Sequence, residues 1–279
     1  MGELNIPTHS NEVKASIPSP HILLVSLNRP KALNAMSSTM SADMKRLLDW
    51  FEGEPELWVV VLTGEGRLFC AGADLIEWNK QQQGGDTSDQ GRVAANRYGF
   101  GSVSRRESTK PIIAAVHGGA YGGGLEMVVN SDLVIASEDA KFGFPEVTRG
   151  VIAIQGAIPR ITQICGHQKA SELLLTGKII GAVEARDRFG FVNAVVPNST
   201  TAVAEAIKLA QQITANSPDA VQSTKHALVL SQRLSHSETV SQHVWSHVTE
   251  RVYNGQNIKE GLKAFAEKRR PIWTNPSKL

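Results

Sequence analysis

Apolar positions change their period from one segment to the next, and the changes mark out successive elements. Residues 21–28 form a β-rich run closed by Asn28-Arg29-Pro30, and residues 36–51 then carry apolar side chains at helical spacing. Residues 57–63 read as a buried strand ended by Gly64 and Gly66, followed by a turn through Phe69-Cys70-Ala71-Gly72-Ala73-Asp74-Leu75. Residues 79–92 are polar and rich in Gln, Gly and Asp, which predicts an exposed insertion and a candidate lid. Residues 92–107 are predicted helical and 111–116 a strand, and a Gly-rich turn at 118–124 leads into a helix through Val129. Residues 132–136 return as a strand. This alternation predicts an α/β layered or spiral fold with crossover connections.

Beyond Pro197 the period is helical throughout, over residues 202–214, 219–230, 238–253 and 258–268. The expected organisation is an α/β core over 1–200 and a helical region over 201–279. Apolar faces at Trp245, Val248, Val252 and Leu262 suit either packing on the chain's own core or contact between subunits. No internal repeat of fixed period is present.

Composition narrows the function classes. In 279 residues, 41% are hydrophobic and 20% charged, with a formal charge of +2, so a sizeable core is expected and no polyanionic partner is called for. Basic residues are scattered until Lys263, Lys268, Arg269 and Arg270, which predicts no DNA binding. Cys70 and Cys165 have no paired spacing and suggest neither a disulfide framework nor a metal site. Apolar runs are too short to span a bilayer, so a soluble chain without membrane association is expected. Glu3 and Glu12 precede any arginine and no apolar leader follows, which argues against secretory and mitochondrial targeting. Ser277-Lys278-Leu279 is the tripeptide a peroxisomal import receptor reads, so a peroxisomal location is expected.

Two segments, Cys70-Ala71-Gly72-Ala73-Asp74 and Gly122-Gly123-Gly124-Leu125-Glu126, combine small residues in a way that lets a ligand approach peptide N–H groups. Glycines often serve only to make turns, and the chain has neither GxGxxG nor GxxxxGK followed by Ser or Thr, so nucleotide readings are disfavoured. Glu126 lies in an apolar stretch without a neighbouring cation, and Glu146, in Phe142-Gly143-Phe144-Pro145-Glu146-Val147, has a similar setting. A buried, unpaired carboxylate shifts its pKa upward, and two such groups can work as acid and base; a surface ion pair is the plain alternative for each. His243 and His247 are four residues apart but lack the glutamate of HExxH, so an ordinary helix is expected there.

The run Asn28-Arg29-Pro30-Lys31-Ala32-Leu33-Asn34-Ala35, the AGAD loop, the triple glycine closing on Glu126 and the FPE closing on Glu146 resemble successive motifs of the crotonase (enoyl-CoA hydratase/isomerase) superfamily. They occur in the family's order, and the resemblance extends from about His21 to Phe265-Ala266-Glu267-Lys268-Arg269. The resemblance implies a crotonase-like spiral of ββα units followed by a C-terminal helical region, assembled as a homotrimer or a dimer of trimers. It implies that the N–H groups of Ala73 and Gly123 form an oxyanion hole for a thioester carbonyl, a type of donor worth about 2.7 to 4 kcal/mol of barrier. Glu126 and Glu146 match the two glutamates of the family's hydratases, one handling water at the β-carbon and the other the proton at the α-carbon.

By the same resemblance, coenzyme A lies along Lys31, Ala32, Leu33, Ala71, Asp74 and Leu75, with Phe265 and Lys268, often from a neighbouring subunit, at its phosphates. No metal or redox cofactor is implied; coenzyme A enters with the substrate. The expected activity is an acyl-CoA hydratase/dehydratase acting at the 2,3 bond of an enoyl-CoA. Its substrate is a fatty enoyl-CoA or a specialised one, such as the mevalonyl-CoA type of fungal siderophore synthesis. An enoyl-CoA isomerase and a non-catalytic or RNA-binding relative are the alternatives. After Glu146 the chain departs from the family's Gly-rich segment and reads Ala153-Ile154-Gln155, with Ile154 in place of a small residue near the acyl pocket. Tyr121 and Trp78 are further candidates to shape that pocket.

Overall fold

The computed structural model describes residues 4–83 and 89–276. Residues 84–88, in the predicted insertion, and the Ser277-Lys278-Leu279 tripeptide lie outside the described residues.

The chain opens with an antiparallel pair, β1 (Val13–Ser19) and β2 (Ile22–Leu27). Helix α1 (Ser38–Gly53) follows, its first turn capped by the Ser37 hydroxyl, which accepts from the Met40 N–H. Its apolar stripe, Met40, Met44, Leu47, Leu48 and Phe51, is buried. Strand β3 (Val59–Gly64) is buried at all six positions, as a strand covered on both faces must be. Helices α2 (Leu75–Gln83) and α3 (Asp89–Ala95) come next.

The chain then passes twice between two sheets. Strand β4 (Ile112–Val116) continues into β5 (Gly119–Tyr121), α4 (Gly123–Val129) returns it to β6 (Leu133–Ser137), and β6 continues into β7 (Lys141–Gly143). Helices α5 (Ala157–Cys165) and α6 (His167–Thr176), strand β8 (Ile179–Gly181), helix α7 (Ala182–Asp187) and strand β9 (Ala194–Val196) complete this part. One sheet has the order β1-β2-β3-β4-β6-β9, parallel from β2 onward. The other has the order β5-β7-β8. Repeated strand, strand, helix passages between two stacked sheets make the crotonase-like spiral.

Five helices follow: α8 (Ser199–Thr214), α9 (Pro218–Leu230), α10 (His236–Val244), α11 (His247–Asn254) and α12 (Gln256–Ala266). Ala202, Ala206 and Ala210 of α8 are fully buried in one apolar cluster with Ile22, Val59, Val61, Ile113 and Ala115. A stripe of small side chains lets this helix lie close to the large sheet and cover its outer face. The other face, with α1 and α4, forms the larger core around Leu47, Phe69, Leu125 and Phe142.

Four local expectations change. Strand β1 is absent from the sequence reading; it is an edge strand whose exposed positions alternate with inward ones, but the inward positions include small Ala15 and Ser19 and the strand contains Pro18, so its apolar signal is weak. The insertion predicted from residue 79 is helical where it is described, and α2 begins earlier, at Leu75. The helix expected over 92–107 ends at Ala95, because Gly99 and Gly101 adopt positive φ and turn Phe100 into the core. The helix expected over 238–253 is two, since the Ser246 hydroxyl accepts from Thr249 N–H and starts α11 anew. Val248 is buried, whereas Trp245 is 86% exposed and Leu262 67% exposed. Among the described residues no helix is long and apolar enough to cross a membrane.

Candidate active site

Three loops are stitched side by side at one end of the spiral. Asn34 holds the first: its side-chain N–H groups donate to the carbonyls of Glu65 (2.9 Å) and Leu68 (2.7 Å), and its Oδ1 accepts from Arg29 N–H (2.8 Å). Leu33 and Asn34 both adopt positive φ, a conformation the surrounding bonds must enforce. Ala71 N–H donates to Leu33 O (3.0 Å) and Met36 N–H to Gly72 O (2.8 Å), which aligns the second loop with the first. Cys70 N–H donates to Gly119 O (3.2 Å) and Tyr121 N–H to Cys70 O (3.0 Å), which brings in the third.

Gly72 is required by this arrangement. Its φ is +98°, and a Cβ there would lie 2.9 Å from Tyr121 O and 3.5 Å from Gly123 N. The Ala73 and Gly123 segments are thereby neighbours, and neither N–H has an acceptor among the described residues. Gly122, at φ +54°, begins α4 and lies against the Glu146 carboxylate, 3.1 Å from its Oε1 to a notional Cβ.

Glu126 projects from the first turn of α4 and is 3% exposed. Its Oε2 accepts from the Ala157 N–H at 3.1 Å, where α5 starts. Burial pushes its pKa up to about 7, against the N–H groups of Ala157 and Gln155; the neighbouring Glu146 charge adds to the rise and Arg105 opposes it. Glu146 lies in a 3-10 turn, Pro145–Arg149, where burial also raises its pKa. Its Oε2 is buried without a hydrogen-bond partner. Two carboxylates thus face one cavity, both with a raised affinity for a proton, chiefly through burial.

The cavity has a volume of ≈ 440 Å³ and a mainly apolar wall. Of the residues singled out in the sequence, Leu33, Ala71, Ala73, Leu75, Gly123, Glu126 and Glu146 line it, as do Tyr121, Trp78, Ile154 and Gln155. Lys31 and Ala32 lie in the adjoining 3-10 turn, Pro30–Ala32, outside the wall itself. Asp74 faces a neighbouring chamber; its carboxylate pairs with Arg29 (3.0 Å) and accepts from the N–H groups of Ile76 and Glu77 at the start of α2. Phe265 and Lys268 line neither, and Phe265 projects from α12 with 87% of its surface exposed. Arg149, Phe100, Val93 and Ile179 also line the cavity and went unnoticed in the sequence. Each comes from a different part of the spiral and carries no local pattern. Among the described residues no cluster of His, Cys, Asp and Glu could hold a metal ion, and His243 instead pairs with the Ser223 hydroxyl (2.9 Å).

Comparison with known proteins agrees with this geometry. A family model described as enoyl-CoA hydratase/isomerase matches residues 19–276. The chain is 43% identical over 264 residues to mevalonyl-coenzyme A hydratase of Aspergillus fumigatus, with 95% of each chain covered. It is 41% identical to mevalonyl-coenzyme A hydratase of Beauveria bassiana, with 98% of each covered. The crystal structure of an enoyl-CoA hydratase from Mycobacterium tuberculosis H37Rv superposes with a TM-score of 0.84 at 37% identity, covering 95% of this chain and 99% of that one. By fold, motif order and these similarities, the chain belongs to the enoyl-CoA hydratase/isomerase family.

Proposed function

We propose that this acyl-CoA hydratase works through Glu126 and Glu146 as an acid–base pair and that its acyl group is of the mevalonyl type. The observation that carries the mechanism is the pair itself: two carboxylates with raised pKa facing one cavity beside two N–H groups without acceptors. In hydration one carboxylate takes a proton from water as the oxygen bonds to the β-carbon. The π electrons move toward the thioester carbonyl, and the other carboxyl gives its proton to the α-carbon. Dehydration retraces these steps. Burial, with the Glu146 charge adding to it, keeps Glu126 protonated up to about pH 7, so the pair can supply an acid beside a base. The N–H groups of Ala73 and Gly123 receive the charge that develops on the carbonyl oxygen.

The acyl assignment rests on two fungal relatives, both named mevalonyl-coenzyme A hydratases and similar along nearly their whole length. Isomerisation needs a single carboxylate to move a proton and leaves the second without a task. The pantetheine arm lies along Leu33, Ala71 and Leu75, and Lys268 reaches the phosphates from a neighbouring subunit of a homotrimer or dimer of trimers. The exposed Trp245, Leu262 and Phe265 support such an assembly. Ser277-Lys278-Leu279 is read by the peroxisomal import receptor, and removing it disperses a tagged chain through the cytosol.

The test follows absorbance of the conjugated thioester across a panel of enoyl-CoA and 3-hydroxyacyl-CoA esters. Turnover is expected with the wild type and a loss of about 10²–10⁴-fold in kcat for both Glu126→Gln and Glu146→Gln. Full turnover by Glu126→Gln would sink the two-carboxylate mechanism.

A further inference from the structure

The cavity that holds the two carboxylates does not end at them. Beyond Ala73, Trp78, Val93, Phe100 and Gln155, which are common to both walls, lies a second chamber of ≈ 330 Å³. Leu33, Ala71 and Leu75 line only the first cavity, as do Glu126 and Glu146, and the second chamber opens from it past these shared residues. It is where the far end of an acyl group would extend.

The second chamber carries a larger share of polar surface than the first, and most of its polar groups are already engaged. The Ser37 hydroxyl donates to Glu12, the Ser38 hydroxyl donates to Glu77, and Asp74 is held by Arg29 and the start of α2. Gln155 differs. Asn96 Nδ2 donates to Gly99 O (3.0 Å), an atom that can only accept, so this end of the Asn96 amide is the nitrogen. The same nitrogen meets Gln155 Oε1 at 3.3 Å, which fixes the Gln155 oxygen toward Asn96 and leaves its Nε2 donors without a partner among the described residues. The Gln155 backbone is pinned at both ends: its carbonyl accepts from the Ser104 hydroxyl and its N–H supports Glu126. The Gln155 amide, half-buried on a pinned backbone and oriented by Asn96, offers a donor at the passage between the two chambers, where it can read a hydrogen-bond acceptor.

We infer that Gln155 is the specificity-determining residue for acyl groups with a hydroxyl beyond the reacting double bond, its Nε2 donating to that hydroxyl in the second chamber. This rests on the hydratase reading above and adds the group that selects the substrate. An acyl chain that is purely hydrocarbon leaves the donor unpaired, and the loss counts against it at the transition state.

The experiment compares hydration of two 3-methylpentenoyl-CoA esters that differ only in a hydroxyl on the terminal carbon, using the full-length protein and the ratio of their kcat/KM values. The wild type is expected to favour the hydroxylated ester, and Gln155→Leu to lower the ratio about tenfold. Asn96→Ala, which frees the Gln155 amide to rotate, is expected to lower it by a smaller factor. A wild-type ratio near one, or a preference that survives unchanged in both variants, overturns the inference and leaves the hydratase reading standing. A wild type that hydrates neither ester brings down both. The ratio also separates a specific effect from loss of folded protein, since misfolding lowers both numerators alike and leaves it constant.

Discussion

Glu126 is a carboxylate withheld from water by its own helix and by the start of α5, and this has a stability consequence separate from its chemistry. Its folded-state pKa of about 7 lies above the ordinary value of 4.5, so between these two values the folded chain holds a proton that the unfolded chain has released. Stability from this group is fully present below about pH 4.5 and is lost as pH rises through 7. The loss amounts to about 3 kcal/mol at most. Glu126→Gln keeps an oxygen for the Ala157 N–H and removes the buried charge. Thermal unfolding should therefore show the variant more stable than the wild type at pH 8, with the difference closing below pH 4.5. An equal difference at both pH values would mean that the buried charge is not its source. The apolar run around Glu126 was enough to anticipate a raised pKa from the sequence. The backbone N–H groups that temper the rise come from 29 to 31 residues away, and nothing local announces them.

Among the elements, the loops of the site owe their shape to contacts with one another more than to their own propensities. Asn34 makes three hydrogen bonds across two loops while fully buried, so Asn34→Ala strands buried N–H and C=O groups. It is expected to cost about 3 kcal/mol in urea unfolding. Gly72→Ala acts differently. The added Cβ meets the Tyr121 carbonyl and displaces the Ala73 loop from Gly123, so kcat should fall by about 10²-fold while most of the protein remains folded by circular dichroism. The sequence marked both small-residue loops through their glycines. Their alignment through Cys70 and Gly119 is a tertiary fact. Gly99 and Gly101 show the reverse case: the apolar period around them predicted one helix, and their positive φ values broke it and delivered Phe100 to the cavity wall.

At the scale of the whole molecule, the described chain leaves Phe265 and Lys268 outside both cavities, on a helical surface that also exposes Leu262. If Lys268 serves the cavity of a neighbouring subunit, Lys268→Ala should raise KM for acyl-CoA esters several-fold, with little change in kcat. The KM for the corresponding pantetheine thioesters, which lack the nucleotide phosphates, should stay the same. A matching rise for both kinds of ester would remove phosphate recognition as its role. Sedimentation of Trp245→Glu should show smaller species than the wild type, because a charge placed in an apolar contact opposes association. The sequence by itself determined the alternation of strand and helix from β2 to β6, the helical period beyond Pro197, the burial of β3 and the apolar settings of Glu126 and Glu146, because these follow from local period and composition. Only the tertiary structure decided that both carboxylates share one cavity, that Asp74 is spent on Arg29 and a helix start, and that Gln155 stands in the walls of both chambers with its amide oxygen held by Asn96. Those outcomes depend on distances between segments far apart in the chain, and a one-dimensional pattern carries no such distances.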